Sequence, residues 1–253
     1  MRPSQINLRV LLCTACYFLA ALAAVQLAPA LAVQTALRFD QTHSFMGRSQ
    51  MTVGAHGIRI ENTDKLKFIL VAKAPDWKVT VFRNDDKTYF TESLKEFQET
   101  GLFSGFILLS PGMHLEKKGF AKSVFKFCGH DVIRMTGSKT TLKYIPLGNV
   151  APVVESIIYC AYKTPTNGGL PLTFVKARKG RDYFSGASQE GQREIVLDTS
   201  KIETVLDSPK FYETPKGYKL SKSLGAVFAG NAVRSDSVYF QSIFDMNSRG
   251  RSK

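Results

Sequence analysis

The sequence predicts an α+β fold that is mainly antiparallel β. From Gln50 onward, apolar and polar residues alternate with a period of two, as they do in strands with one buried face. Polar or Gly/Pro turns interrupt this alternation about every eight to twelve residues, which is the spacing of a strand meander. One stretch, 151–162, changes to the period of an amphipathic helix.

The composition is that of a folded domain. The chain has 253 residues, of which 44% are hydrophobic and 11% aromatic. This apolar content excludes a disordered polymer, which has too few apolar groups to offset chain entropy. A collagen-like or multi-span membrane protein is also excluded. The length allows one β-rich domain, or two small ones at most. We assign residues 33–244 to a single domain and 245–253 to a basic flexible tail.

Residues 1–32 are predicted to be a secretory signal peptide. Arg2 and Arg9 precede an uncharged, apolar run that ends in the small-x-small sequence Ala30-Leu31-Ala32. We expect cleavage after Ala32 and a periplasmic or secreted protein. The apolar run is also long enough to cross a bilayer, so an uncleaved N-terminal membrane anchor is the alternative.

Alternation places the expected strands along the domain. They are predicted at 51–60, 66–71, 77–82, 88–91, 103–109, 122–128, 130–135, 140–145, 170–175 and 193–198. Residues 33–50 are mixed, poor in charge and without a convincing helical stripe. Residues 211–218 form an irregular Pro/Gly segment.

Two helices are expected. Residues 92–100 predict a short surface helix that ends at Gly101. The second helix, 151–162, would have Asn149 as its cap and Pro152 in its first turn. Its apolar stripe consists of Val153, Val154, Ile157, Ile158 and Ala161.

After signal cleavage, Cys128 and Cys160 are the two cysteines that remain. In an exported protein, two cysteines suggest one disulfide bond. Free cysteines also pack as small hydrophobic side chains. The sequence leaves both possibilities open.

Motifs for catalysis and metal binding are missing from the sequence. There is no G-x-S-x-G, no H-E-x-x-H and no C-x-x-C after the signal peptide. The histidines, at positions 43, 56, 114 and 130, are scattered and interpreted as surface or structural groups. We therefore expect no enzyme activity, no metal and no cofactor. An exported hydrolase is kept as a third hypothesis.

The formal charge is +13 at pH 7. Basic residues cluster at 117–126, 176–181 and 216–222, and such clusters suit an anionic membrane surface. Because they are spread over several segments and form no single stripe, a soluble, well-dispersed surface is the other interpretation. We expect no nucleic-acid partner and a monomer.

The most informative pattern is apolar. Six residues of the meander are expected to share one face, and they are Leu66, Phe68, Leu70, Trp77, Val79 and Val81. This face either packs against the apolar stripe of the second helix as an ordinary sheet–helix core, or forms the wall of a channel for an acyl chain.

The order of several short motifs resembles the bacterial LolA-like family of outer-membrane lipoprotein-sorting proteins. The first part matches a "G-x-R-x-E" strand and a "V-x-V-F-x-x-x-x-K-x-Y" hairpin through Gly57, Arg59, Glu61, Val79, Val81, Phe82, Lys87 and Tyr89. The later part matches through Gly169, Pro171, Leu172, Phe211, Pro215, Gly217 and Tyr218. The likeness spans roughly residues 46–222.

The resemblance implies a curved, half-open β-barrel covered by a few helices, with a hydrophobic cavity for acyl chains. LolA itself has a helix directly after its signal peptide, which residues 33–50 do not predict. Our first hypothesis is a non-enzymatic, exported binder or carrier of a lipid or lipidated protein. The alternative is an envelope scaffold or sensor that uses the same fold for protein–protein interaction.

Overall fold

The computed structural model describes residues 34–64, 66–103, 112–116, 118–148, 150–177 and 191–229. The predicted signal peptide, the cap Asn149 and the C-terminal tail lie outside these ranges. So do most of the strand expected at 103–109 and most of the basic cluster at 176–181.

Antiparallel strands dominate the described part of the chain. The strands are β1 Thr35–His43, β2 Gly47–Gly54, β3 Gly57–Asn62, β4 Ile69–Lys73, β5 Val79–Arg83, β6 Thr88–Glu92, β7 Ala121–Phe127, β8 His130–Thr136, β9 Thr140–Pro146, β10 Gly169–Ala177, β11 Arg193–Leu206 and β12 Lys219–Leu220. The helices are α1 Leu94–Thr100, α2 Val153–Tyr162 and α3 Leu224–Ala229, and a 3₁₀ turn covers Pro209–Tyr212.

All twelve described strands belong to one sheet, in the order β12-β6-β5-β4-β3-β2-β1-β11-β10-β9-β8-β7. Two antiparallel meanders, β1–β6 and β7–β11, are joined where β1 pairs with β11. Only β12 runs parallel to its neighbour, β6. Among the described residues, β7 and β12 pair on one side alone, so the sheet is open. The expectation of a mainly antiparallel α+β fold is confirmed at this level.

The sheet has two distinct faces. The inner face, which the three helices cover, carries the main hydrophobic cluster, with Phe39, Met51, Ile60, Leu70, Val81 and Leu172 among its members. The outer face carries a smaller cluster of Ile69, Val71 and Phe82. A third cluster lies on the second meander and consists of Met135, Leu142, Tyr144, Phe174, Val196 and Leu197.

Strand β1 lies in the segment where the sequence shows no regular period. Its inward positions include the buried polar residues Gln41 and His43. Its register against β11 shifts at Asp40 and Gln41, where Ser200 of β11 is the extra residue. The inward polar residues of β1 break the alternation of apolar and polar residues on which sequence-based strand prediction depends.

The two predicted helices are confirmed with small shifts. Helix α1 begins with a capping box, in which the Ser93 side chain accepts from the Glu96 amide and the Glu96 carboxylate accepts from the Ser93 amide. Gly101 follows the helix with φ 63°, as a C-terminal glycine does. Helix α2 has Pro152 at its N-cap position, not inside its first turn.

Candidate apolar binding site

The structure brings together the six apolar residues that were expected to share a face. Leu66, Phe68, Leu70, Val79 and Val81 belong to the main hydrophobic cluster and are at most 6% exposed. Trp77 is half-buried and packs against the same cluster. That these side chains bind a ligand stays a prediction.

Three of the six, which were predicted to lie in strands, lie outside the observed strands. Leu66 and Phe68 precede β4, and Asn62 fixes their loop because its side-chain oxygen accepts from the Leu66 amide at 2.9 Å. Trp77 occupies the turn before β5 with a left-handed backbone, φ 52°. Its amide donates to the Lys73 carbonyl at 2.8 Å. The conformation of the turn, and not the alternation of side chains along a strand, therefore directs the indole toward the inner face.

A group of phenylalanines forms the aromatic part of this face. Phe103 contacts Phe45 edge-on, with ring centroids 5.3 Å apart, and Phe228 at 5.6 Å. Phe228 also contacts Phe68 edge-on at 5.4 Å. Edge-to-face aromatic contacts add to the free energy gained by burial alone. Phe228 comes from α3, so the C-terminal helix completes this group.

A buried cation, Arg83, lies at the end of β5. Arg83 lies on the same face of the strand as Val79 and Val81, because the three residues are spaced by two. Its side chain is 5% exposed. Nε donates to Asp85 Oδ1 at 2.9 Å, Nη2 donates to Asp85 Oδ2, and Nη1 donates to the Phe228 carbonyl at 3.2 Å. The hydrogen bond with Asp85 raises the pKa of Arg83 and lowers the pKa of Asp85.

Arg83 is not among the residues predicted from sequence to line this face. Its signal was present, because Arg83 follows Val79 and Val81 at an interval of two and places a charge where alternation expects an apolar residue. An inward charge needs a partner. Asp85, two residues further on, is the partner of the charge, and a further acceptor, the Phe228 carbonyl, lies 145 residues away along the chain.

Polar groups hold helix α2 to β1 and β2. The Tyr162 hydroxyl lies 3.1 Å from Ser49 Oγ, and the Tyr162 carbonyl lies 3.1 Å from His43 Nε2. The other ring nitrogen of His43 accepts from the Phe45 and Met46 amides. Burial raises the pKa of Tyr162 well above its ordinary value. These bonds give His43 a structural role.

Glu155 fixes two loops to helix α2. Its Oε1 accepts from the Gly168 amide at 2.6 Å and from Thr166 Oγ1 at 2.7 Å. The same oxygen lies 2.8 Å from His114 Nε2. Glu155 is 8% exposed, and a carboxylate this buried needs such partners. His114 therefore also contributes to structure.

Cys128 and Cys160 are free thiols in the structure. Cys128 is exposed in the β7–β8 turn, at a left-handed position with φ 48°. Cys160 is buried on α2, where its Sγ donates to the Gln98 carbonyl of α1 at 3.8 Å. Burial raises the pKa of the Cys160 thiol. The structure thus places one cysteine toward solvent and the other within the helix pair, and a bond between them stays a prediction.

Some lysines of the basic clusters lie on the two edge strands of the sheet. Lys122 and Lys126 are exposed on β7, and Lys219 is exposed on β12. Lysines on edge strands discourage pairing with another chain.

In the part of the chain that the structure describes, no group of three or more His, Cys, Asp or Glu is placed to hold a metal ion. Within the same residues, no helix has the length and apolar character needed to cross a membrane.

Comparisons with known proteins give weak structural similarity alone. No family model matches the chain, and no curated protein matches it in sequence. A conserved uncharacterized protein from Thermus thermophilus is 8% identical with a TM-score of 0.38, covering 80% of this chain and 98% of its own. A LolA superfamily protein from Nitrosomonas europaea is 12% identical with a TM-score of 0.22, covering 71% of this chain and 89% of its own. Similarity this low carries no argument about function.

Proposed function

We propose that the protein is a non-enzymatic, exported binder or carrier of a lipid or lipidated protein. The observation that supports this most is the inner face, where apolar side chains from both meanders form one cluster beneath the helices. Each methylene of an acyl chain moved from water onto such a surface contributes about 0.8 kcal/mol. A long acyl chain is therefore the ligand class that this surface suits.

The proposal includes a curved, half-open barrel around the inner face. Register shifts leave one extra residue at Ser200 and at Val196 in β11 and at Leu172 in β10. Bulges bend the strand that carries them and increase its twist. Grouped at the centre of the sheet, they favour curvature there.

Lipid that co-purifies with the protein tests the proposal. The exported protein should be purified from the periplasm without detergent, extracted with organic solvent and examined by mass spectrometry. We expect near-stoichiometric lipid or an acylated peptide. A Trp77→Glu variant should carry less because it places a charge beside the inner face, whereas Leu206→Glu, at a residue 66% exposed on β11, should carry the same amount. A lipid-free protein that also fails to take up added oleate would contradict the proposal.

The second candidate is an envelope scaffold or sensor. One observation favours it: five of the six inner-face residues are already packed, at no more than 6% exposure. A face filled by the chain's own side chains serves as an ordinary core. The same extraction separates the candidates, since a scaffold would carry no lipid with its native fold intact.

A further inference from the structure

A row of four polar side chains crosses strands β7 to β10 of the second meander. Ser123 of β7 lies directly opposite Arg134 of β8. Lys143 of β9 lies opposite Arg134 on one side and opposite Thr173 of β10 on the other. Residues directly opposite one another on neighbouring antiparallel strands point to the same face. Ser123 and Arg134 are exposed and Lys143 is half-buried, so this row is open to solvent.

Two cations lie side by side in this row without an acidic partner. Among the described residues, no carboxylate forms an ion pair with Arg134 or Lys143. The next residue along the row, Asp198 of β11, accepts a hydrogen bond from Thr173 Oγ1 at 3.1 Å. Like charges directly opposite one another destabilise a sheet. An anion bound between Arg134 and Lys143 would offset that repulsion.

The other face of β7 and β8 has the opposite arrangement. Lys126 of β7 lies directly opposite Asp131 of β8, and the two side chains form an ion pair of 2.8 Å. Opposite charges placed in this way stabilise strand pairing. The two unpaired cations are therefore particular to one face, which is where an anionic ligand would be favoured.

The guanidinium group of Arg134 is held by an aromatic ring. Its Cζ lies 4.6 Å from the centroid of the Phe125 ring. A cation–π contact of this kind positions the planar group and leaves its N–H donors unused. Such a group can donate two parallel hydrogen bonds to a phosphate.

The main hydrophobic cluster lies next to the polar row. An apolar residue follows two positions along each of the three strands that carry Ser123, Arg134 and Lys143, and these residues are Phe125, Val132 and Ile145. A spacing of two places them on the same face as the row. Val132 and Ile145 are buried in the main cluster and Phe125 packs against it. Cations beside apolar surface are what an anionic amphiphile requires.

We propose that Ser123, Arg134 and Lys143 bind the phosphate group of a lipid whose acyl chain lies on the main hydrophobic cluster. This inference rests on the proposed function. A phosphate monoester carries a charge of about −1.5 to −2 at neutral pH, which matches the two cations. Arg134 donates to two phosphate oxygens, and Lys143 and the Ser123 hydroxyl donate to the others.

Two lipids with the same acyl chain test the head-group contact. Lauroyl lysophosphatidic acid and the uncharged monolauroylglycerol are titrated into the exported protein by calorimetry, both below their micelle concentrations. The phosphate lipid should bind about tenfold more tightly, and salt should reduce this preference. Equal affinities would overturn the phosphate site and leave the proposed function standing. Binding of neither lipid would overturn both.

Substitutions locate the preference for phosphate. Arg134→Gln and Lys143→Gln should each reduce it about fivefold and leave the affinity for monolauroylglycerol unchanged, whereas Arg134→Lys should retain part of it. Lys122→Gln removes the same charge from the opposite face of β7 and is the matched control. Circular dichroism verifies that each variant folds. An unchanged preference in both folded Gln variants would overturn the assignment.

Inorganic phosphate distinguishes a lipid head group from a free anion. We expect it to compete only weakly with lysophosphatidic acid, because it lacks the acyl chain that contacts the main hydrophobic cluster. If inorganic phosphate bound as tightly as the lipid, and Lys143→Gln abolished that binding, the row would be a site for a free anion. That result would overturn the assignment to a lipid.

Discussion

Arg83 places a permanent positive charge at the margin of an apolar face. The carboxylate of Asp85 forms an ion pair with it and compensates that charge. The carboxylate accepts from two nitrogens of the guanidinium, which lowers the pKa of Asp85. A group whose pKa is lowered by folding contributes stability above its unfolded pKa. That contribution is lost as the pH falls through the lower, folded pKa.

Asp85→Asn should therefore destabilise the protein at neutral pH and have little effect in acid. We expect a loss of less than about 1 kcal/mol near neutral pH because the Asp85 side chain is 41% exposed and solvent screens the pair. At a pH below the lowered pKa of Asp85 the wild-type carboxyl is also protonated, so the two free energies of unfolding should converge there. Urea unfolding at both pH values measures this, with exposed Asp76→Asn as control. A difference that grows in acid would contradict the interpretation.

The two cysteines differ in environment, and their reactivity should differ accordingly. Cys128 is exposed and should react with iodoacetamide in the native protein. Cys160 is buried, its thiol pKa is raised, and it should react only after unfolding. Mass spectrometry of alkylated peptides measures both. A Cys128–Cys160 peptide pair under non-reducing conditions would contradict the free-thiol structure.

At the scale of elements, helix α2 depends on a carboxylate as well as on its apolar stripe. Glu155 accepts three hydrogen bonds that join the helix to the loops at 113–116 and 164–169. Loops fixed in this way place Met113 and Thr166 in contact, since the Thr166 amide donates to the Met113 carbonyl at 2.9 Å.

Glu155→Ala should lower the free energy of unfolding by about 3 kcal/mol, because the Thr166 hydroxyl and the Gly168 amide lose a charged acceptor. Glu155→Gln keeps an oxygen acceptor and should lose less. Chemical denaturation of the three proteins measures the order. An Ala variant as stable as the wild type would show that water or another group replaces the carboxylate.

Helices and most strands could be predicted from sequence because their signals are local. Ser93 and Glu96 mark the start of α1, and the stripe from Val153 to Ala161 marks α2. Strand β1 could not be predicted, since Gln41 and His43 point inward and find their partners on β10, β11 and α2. The position of Phe228 could not be predicted either, because it depends on the C-terminal segment, residues 207–229, returning to the inner face.

At the scale of the whole molecule, the open sheet brings two meanders to one inner face. The six residues selected from sequence lie on that face, but the sequence could not show that α3 covers part of it. Helix α3 and strand β5 are far apart in the chain, and the hydrogen bond from Arg83 to the Phe228 carbonyl joins them. Contacts of such long sequence separation leave no periodic signal.

Export of the protein is a further prediction that concerns the whole molecule. The small-x-small sequence Ala30-Leu31-Ala32 should be cleaved, so that the exported protein begins at Val33. N-terminal sequencing of protein from the periplasm or medium measures this. A full-length product that stays with the membrane fraction would support the anchor alternative.

The central claim is that an acyl chain binds on the inner face, and Trp77 is placed to report it. Trp77 is the only tryptophan of the chain and packs against the inner cluster. A dibrominated stearate should quench its emission saturably, since bromine atoms quench an indole that they contact, and unbrominated stearate should compete. Emission unchanged by the brominated acid, with the protein folded and the acid below its micelle concentration, would contradict the claim.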